Sequence, residues 1–136
     1  MAALEDVKVP VRLRLAGLWT SLMFCYIYGD YFGLYGKGKL QEMLDGSFGP
    51  LGPTTSGVLV GVSLMMAVPA LMVFGSIALP AAISKWANIV LGLAYAAIML
   101  LTMAGGAPAF YITLGVIEVL LSLCTIVTAW RWPRSR

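Results

Sequence analysis

The chain has 136 residues, of which 60% are hydrophobic and 11% charged, and its formal net charge is +3. An ordinary soluble domain carries about 25% charged residues, and a chain this short has too much surface to hide so many apolar side chains from water. The composition therefore excludes an ordinary water-soluble domain and predicts an integral membrane protein whose main partner is the lipid bilayer.

Four apolar segments follow one another along the chain, and each is close to the ~20 residues that cross a bilayer as a helix. They cover residues 11–34, 56–79, 84–104 and 108–130. The first segment starts with too many charges for a cleaved signal peptide and has no cleavage site after it, so we interpret it as a span. Because backbone polar groups cannot stay unpaired in lipid, all four segments should be helical. Residues 1–136 then form a single all-α transmembrane domain.

The connections predict how the helices are arranged. The short turns at residues 80–83 and 105–108 make consecutive helices antiparallel neighbours, which gives an up-down-up-down bundle of four transmembrane helices. In the long first connection, the spacing of apolar residues at 39–44 predicts a short interfacial helix on the outer surface. The following Gly- and Pro-rich stretch, 46–53, cannot be helical throughout. Pro69, inside the second segment, predicts a kink whose freed carbonyl finds another partner.

The basic residues predict the orientation. One side of the membrane receives seven of them and the other side two, Lys37 and Lys39. The seven are Lys8, Arg12, Arg14, Lys85, Arg131, Arg134 and Arg136. By the positive-inside rule both termini are cytoplasmic and the protein is a multi-pass protein of the inner or plasma membrane. The net charge therefore requires no nucleic acid as a partner.

The cysteine and histidine content argues against several kinds of chemistry. The chain has no histidine and only two cysteines, Cys25 and Cys124, both within spans. Their expected depths differ by roughly 10 Å, whereas a disulfide needs Cα atoms within about 7 Å, so two free, buried thiols are predicted. This pattern argues against haem, zinc and thiol–disulfide exchange, and we expect no cofactor and no metal.

Small and polar residues recur at alternating spacings of three and four in the spans, which is typical of helix faces that point into a bundle. The stripes are Trp19, Met23, Tyr26, Asp30 and Gly33; Asn88, Gly92, Tyr95, Met99 and Thr102; Tyr111, Gly115, Glu118, Ser122 and Thr125; and a weaker one, Ser56, Ser63, Ala67 and Ala70. Packing alone explains the small residues, including the pairs Gly29/Gly33 and Gly57/Gly61 as helix contacts.

Glu118 is the strongest indication of a functional site. A charged side chain at mid-bilayer costs about 3 kcal/mol on insertion scales, so carboxylates in spans are rare. Counting ~1.5 Å per residue places Glu118 near the midplane and Tyr95 near the same level. No basic residue within a span can pair with it, and low dielectric without a cation disfavours the charged form. Glu118 is therefore either a neutral acid hydrogen-bonded to Tyr95 or Ser122, or a proton carrier or cation-binding group.

Asp30 should lie roughly 12 Å closer to the outer face, near the level of Tyr111 and Thr102. It either organises the outer loop, by accepting from backbone amides or pairing with Lys37 or Lys39, or meets a ligand. The aromatics around it are an interface belt or a wall over a cation or flat apolar ligand. They are Tyr26, Tyr28, Tyr31, Phe32 and Tyr35. The methionines are interpreted mainly as core filling, with an adaptable ligand lining as the alternative.

The strings Leu18–Ser21, Tyr26–Phe32, Gly49–Pro53 and Met99–Met103 together resemble a family of uncharacterised small bacterial membrane proteins, over nearly the whole chain. That family is loosely similar to the DoxX-like four-helix proteins, which are linked to quinone and sulfur redox complexes and, more distantly, to sterol-type ligand binders. The resemblance implies a four-helix bundle and carries over no catalytic residue. In the ligand-binding relatives acidic residues in the spans line a pocket, which by analogy points to Asp30 and Glu118.

The polar groups crowd the outer half of the bundle, and this distribution predicts an outward-opening pocket that binds or transports a small apolar or cationic molecule. The candidate ligand-binding residues are Glu118, Asp30, Tyr26, Tyr95, Tyr111 and Thr102. The alternative is a structural or accessory subunit of a membrane complex, with a redox or quinone link. A homodimer fits either hypothesis. No catalytic residue is identified, and we do not expect an enzyme.

Overall fold

A computed structural model describes residues 1–135 of the chain; Arg136, which contributed to the charge asymmetry, lies outside the described residues. Within them the fold consists of five α-helices and contains no strand, which confirms the all-α prediction. The helices are α1 (Val11–Gly33), α2 (Lys39–Leu44), α3 (Ser56–Ala78), α4 (Ala81–Met103) and α5 (Ala109–Trp130). Four of them are long, and their bounds follow the four apolar segments closely.

The helix starts have simple local causes. Pro10, Pro80 and Pro108 directly precede α1, α4 and α5, with φ angles of −57°, −52° and −56°. Proline suits this place because the residue before a helix is extended, as the ψ angles of 143°, 146° and 150° show, and because its missing amide hydrogen would have no helical partner. Helix α3 instead begins after Thr55, whose hydroxyl accepts a hydrogen bond from the amide of Val58 at 3.2 Å.

Helix α4 begins at Ala81, three residues before the predicted span. The connection between α3 and α4 therefore reduces to Leu79 and Pro80, and the amide of Ser84 donates to the Pro80 carbonyl at 2.8 Å. The predicted turn at residues 80–83 puts the start of this helix too late. Pro80 stands directly before the first helical residue and is not the first residue of a longer turn.

The first connection contains the predicted short helix α2 and then a non-helical stretch. Gly38 precedes α2 with φ 80°, a left-handed conformation that only glycine adopts without strain. After α2, one 3₁₀ turn covers Gly49–Leu51, and Ser47 forms an isolated bridge with Pro53. The prediction that residues 46–53 are not helical throughout is confirmed.

The four long helices form a ring in the order α1, α3, α4, α5. Helix α1 packs against α3 and α5, α4 packs closely on α5, and the contact between α3 and α4 is the smallest of the four. The start of α1 meets the end of α3, where the Arg12 guanidinium donates to the carbonyls of Ile77 at 2.9 Å and Leu79 at 2.5 Å. The same guanidinium lies 5.4 Å from the ring centroid of Trp132, just after α5. Consecutive long helices are therefore antiparallel.

Three of these helices, α3, α4 and α5, are long and apolar enough to cross a membrane, with mean hydropathies of 2.3, 1.8 and 2.2. Helix α1 is equally long but less apolar, because it contains tyrosines, glycines and three charged residues. Large apolar side chains point away from the bundle: Leu64, Leu71, Phe74 and Leu101 are each more than 60% exposed. Such an apolar exterior is compatible with a lipid environment.

The interior holds polar and small residues, as the stripes on α4 and α5 predicted; of the stripe on α1 only Trp19 is buried, and Asp30 is exposed. Asn88, Gly92 and Tyr95 are buried on α4. Helix α5 buries Gly115, Glu118, Ser122 and Thr125. The weaker stripe on α3 is wrong, because α3 buries Pro69, Met72 and Ser76 while Ser56, Ser63 and Ala70 are exposed. A helix that is apolar all round gives no periodic signal for its inner face.

Close approach of α4 and α5 depends on glycine. A Cβ on Gly92 would lie 2.9 Å from Cγ1 of Ile126, and one on Gly115 would collide with the sulfur of Met103. By contrast, a Cβ on Gly61 would meet nothing within 4 Å. The prediction that Gly57 and Gly61 form a helix contact is therefore wrong within the described chain, since a Cβ on Gly57 would meet only Thr55, the residue just before α3.

Both cysteines are free thiols, as predicted, and they lie in different environments. Cys25 is half-buried on α1, whereas Cys124 is exposed on the outer face of α5. The prediction of two buried thiols is therefore wrong for Cys124. Depth in a lipid bilayer does not fix whether a side chain faces the bundle or the acyl chains.

Candidate functional site

A cavity of about 120 Å³ lies between the four long helices, towards the end of the bundle where α1 ends and α5 begins. All four long helices contribute to its lining. The six side chains predicted as ligand-binding candidates all line this one cavity; they are Tyr26, Asp30, Tyr95, Thr102, Tyr111 and Glu118. Three methionines, Met65, Met66 and Met99, line it as well. The structure thus brings together residues that are far apart in sequence.

Glu118 lies at the deep end of the cavity. It is the tenth residue of α5, so by helical rise it lies ~14 Å from the helix start. Its side chain is only 3% exposed, and its Oε2 has no hydrogen-bond partner. Neither Tyr95 nor Ser122 is bonded to it in the described structure, so the neutral hydrogen-bonded acid considered above is not formed. A buried carboxyl oxygen without a partner is costly and calls for a physical explanation.

No basic side chain lines this cavity. The lysines and arginines of residues 1–135 lie in the segments before α1 and after α5, near the helix ends or in the connecting loops, away from the middle of α5. The lining contains two carboxyl groups, those of Asp30 and Glu118. No basic residue of the lining neutralises them. The cavity is suited to a positively charged or hydrogen-bond-donating molecule rather than an anion.

Tyr95 closes the side of the cavity near α3. Its hydroxyl donates a short hydrogen bond to the carbonyl of Met65. That carbonyl would ordinarily accept the amide of the residue four places later, which is Pro69 and has no amide hydrogen. The predicted neighbour that satisfies the carbonyl freed by Pro69 is thus Tyr95 of α4.

Aromatic rings form part of the wall. The ring centroids of Tyr26 and Tyr95 are 6.5 Å apart at an angle of 35°, and Trp19 meets Tyr95 edge-on at 6.2 Å. The other aromatics near Asp30 do not line the cavity. They are exposed and contact one another instead; they are Tyr28, Tyr31, Phe32 and Tyr35. Of the aromatic group predicted from the sequence, only Tyr26 faces inward.

Asp30 lies at the open end of the cavity and is exposed. It forms no ion pair with Lys37 or Lys39 in the described structure. Lys39 pairs with Glu42 instead, at 3.3 Å. Near it, the hydroxyl of Thr102 donates to the carbonyl of Met99 at 2.7 Å. The arrangement gives an acidic, partly open end and a closed end at Glu118.

A second polar cluster, which we call the asparagine network, lies at the opposite end of the bundle. The indole of Trp19 donates to Oδ1 of Asn88 at 2.7 Å, and the hydroxyl of Ser76 donates to the same oxygen at 3.3 Å. The Asn88 amide donates to the carbonyl of Ser84 at 2.8 Å, and the Ser84 hydroxyl donates to the carbonyl of Ser76 at 3.2 Å. All four residues are fully buried. The sequence indicated that Asn88 faces the bundle but did not reveal the network.

The contrast between the two clusters separates structure from candidate function. Every side-chain polar atom of the asparagine network has a partner, so the network joins α1, α3 and α4 at no cost in unpaired groups. In the described part of the chain, the buried side-chain atom without a hydrogen-bond partner is Oε2 of Glu118. The network is a structural device, whereas Glu118 is left available for another partner.

Residues 7–136 match the model of a family described as Family of unknown function (DUF6326), and the chain belongs to this family. The predicted resemblance to an uncharacterised family is thereby confirmed, whereas a similarity to DoxX-like proteins is not shown. No curated protein and no solved structure matches the chain. Since the family carries no assigned activity, functional inference depends on the cavity itself.

Proposed function

We propose that this protein crosses the cell membrane four times, with both termini in the cytoplasm. Three helices have the required length and hydropathy. The fourth, α1, lies between α3 and α5, where its buried face includes Leu15, Trp19 and Leu22. A less apolar span is tolerated when its polar residues face the bundle rather than lipid. The excess of lysine and arginine at the end where α1 starts supports the orientation.

The role we propose is the binding, with or without transport, of a small cationic molecule in the cavity between the four long helices. The observation that carries the proposal is the unpartnered Oε2 of Glu118, 3% exposed, at the end of a cavity without a basic residue. A buried carboxylate is stabilised when a bound cation supplies the opposite charge and a hydrogen-bond donor.

The surroundings favour a cation over a neutral apolar molecule. Tyr26 and Tyr95 present rings that attract positive charge, and Asp30 adds a second carboxyl group at the open end. At about 120 Å³ the cavity has room for several waters or one small molecule, since one water needs roughly 10–15 Å³ of probe-occupied space. The ligand is therefore a cation with few heavy atoms, of the methylammonium or guanidinium kind.

Binding is a better account than catalysis. The whole chain has no histidine, and the cavity lining has no cysteine, lysine or serine that would act as a nucleophile. Its tyrosines and carboxyl groups suffice to recognise a cation, and nothing in their arrangement pairs a nucleophile with a base.

Thermal unfolding of the purified full-length protein in mild detergent tests the proposal. Methylammonium, guanidinium and tetramethylammonium chlorides are compared with sodium chloride at equal ionic strength. At a tenfold excess over Kd, a bound cation should stabilise the folded protein by about 1.4 kcal/mol. The Glu118→Gln variant should lose this gain, whereas the matched control Glu42→Gln, which alters an exposed carboxylate of the loop helix, should keep it.

The outcomes are distinct. If no cation stabilises the wild type, or if Glu118→Gln is stabilised as much as the wild type, the cationic-ligand proposal is wrong. Equal stabilisation of wild type and Glu118→Gln by toluene would assign the cavity to an apolar molecule. Native mass spectrometry of the protein from its own membrane adds a further check. A fixed complex with another membrane protein and no retained small molecule would favour the accessory-subunit role.

A further inference from the structure

A second concave surface, which we call the basic groove, lies outside the bundle at the end where α1 begins and α5 ends. Its volume is about 330 Å³, and it is formed by the segment before α1, the first turn of α1 and the residues after α5. The lining consists of Lys8, Val9, Pro10, Val11, Arg14, Arg131 and Pro133. Three cationic side chains from three separate segments therefore converge on one groove, and no acidic residue lines it.

The three cations of the basic groove have no partner within the described part of the chain. Within residues 1–135, no hydrogen bond or ion pair engages the side chain of Lys8, Arg14 or Arg131; the acids nearest in sequence, Glu5 and Asp6, are not part of the lining. Other cations at the same end are already engaged by the protein. Arg12 binds the carbonyls at the end of α3, as described above, and Lys85 lies 5.6 Å from the ring centroid of Trp130.

We propose that the basic groove binds a phosphate group, supplied either by an anionic lipid headgroup or by a soluble phosphate. Two guanidinium groups and one ammonium group match the charge and the donor geometry of phosphate oxygens, which arginine binds in a bidentate manner. The apolar stems and prolines of the groove allow the glycerol side of a headgroup to rest against it. The indoles of Trp86 and Trp130 at the same end are typical of a membrane interface, which places the groove at headgroup depth.

The proposal is independent of the cavity that contains Glu118, because the two sites lie at opposite ends of the helices and share no residue. It also predicts more than general attraction to a negative surface. A general attraction would depend on the number of positive charges and not on their position, whereas the groove requires Arg14 and Arg131 together.

Native mass spectrometry and thermal unfolding of the full-length protein in neutral detergent test this. Phosphatidylglycerol, phosphatidylcholine and inorganic phosphate are added separately. The Arg14→Gln/Arg131→Gln variant is compared with the control Lys37→Gln/Lys39→Gln. The control also removes two positive charges, but from the connection between α1 and α3 at the other end of the bundle. Each basic residue near an anionic lipid surface strengthens binding about fivefold. The first variant, which lacks two of them, should therefore bind phosphatidylglycerol about 25-fold more weakly than the wild type. The second should bind it as the wild type does.

The arms distinguish the source of the phosphate. Retention of phosphatidylglycerol that millimolar inorganic phosphate does not displace assigns the groove to a lipid headgroup. Stabilisation by inorganic phosphate alone, lost in the Arg14→Gln/Arg131→Gln variant, assigns it to a soluble phosphate. Equal losses in the two double variants, or no preference for either phosphate source over phosphatidylcholine, overturn the proposal. Unfolding without additives shows that both variants fold, since all four substituted side chains are exposed.

Discussion

The hydrogen bond from Tyr95 to the carbonyl of Met65 should depend on Pro69. In the wild type, Tyr95→Phe removes the donor and leaves that carbonyl without a partner, because the proline cannot supply an amide hydrogen. An unsatisfied buried carbonyl costs about 1–3 kcal/mol in soluble proteins, but this bond is only part-buried, and hydrogen bonds between membrane helices average about 0.6 kcal/mol with a maximum near 1.7. We expect Tyr95→Phe to destabilise the protein by about 1.2 kcal/mol.

In a Pro69→Ala background the same substitution should cost little. Alanine at position 69 has an amide hydrogen in the position to donate to the Met65 carbonyl, so the tyrosine hydroxyl becomes redundant. Pro69 is fully buried, so Pro69→Ala by itself removes packing. The double-mutant cycle subtracts this effect. We expect a coupling energy of about 1 kcal/mol, which exceeds the ~0.3–0.5 kcal/mol within which independent sites are additive.

The assay is reversible unfolding in mixed micelles with increasing SDS, followed by tryptophan fluorescence, since the buried Trp19 contacts Tyr95. The control is Tyr28→Phe, which removes a hydroxyl from an exposed ring and should change stability by less than about 0.5 kcal/mol. If Tyr95→Phe costs the same with proline or alanine at position 69, the reasoning about the freed carbonyl is refuted.

Three further predictions, two of them with a matched control substitution, test the packing of the bundle by the same unfolding assay. Asn88→Ala should destabilise by about 2 kcal/mol because it leaves two buried donors without an acceptor; a change below 0.5 kcal/mol would contradict a structural role for the network. Gly92→Ala should cost about 1–3 kcal/mol through overpacking between α4 and α5, whereas Gly61→Ala, with open space around it, should be neutral or stabilising by up to about 1 kcal/mol. Arg12→Gln should cost about 1–2 kcal/mol by removing a cation from the C-terminal end of α3 and from the face of an indole, while Arg14→Gln should be silent; equal effects at the two arginines would refute this assignment.

Most of the helix positions follow from hydropathy and proline placement. The apolar segments predicted four long helices, and three prolines mark where α1, α4 and α5 begin. The inner faces of α4 and α5 were also predictable, because polar residues such as Asn88 and Glu118 recur there at helical spacing. These features depend on one helix at a time, and a sequence contains that information directly.

The inner face of α3 was not predictable in this way. The helix is apolar on every side, and its few small polar residues are distributed over more than one face. Which face turns inward is decided by partners on other helices, namely Asn88 for Ser76 and Tyr95 for the gap at Pro69. An outward-opening pocket and its six candidate residues could be predicted from depth along the helices, whereas which side chains of different helices meet there is a property of the packed bundle.

The position of the cavity follows from how unequally the helices are packed. Glycines draw α4 and α5 together, whereas α3 and α4 share the smallest contact in the ring. At one end the asparagine network bridges α3 and α4 with paired polar groups, and at the other end the bridge is the hydrogen bond from Tyr95 to the carbonyl that Pro69 leaves free. A space therefore remains where Glu118 faces inward, and no side chain of the protein is placed to pair with it. An isolated carboxyl group is expensive to retain as a purely structural feature, because nothing in the described chain offsets the cost of burying it. For this reason we propose a ligand, rather than packing, as the partner of Glu118.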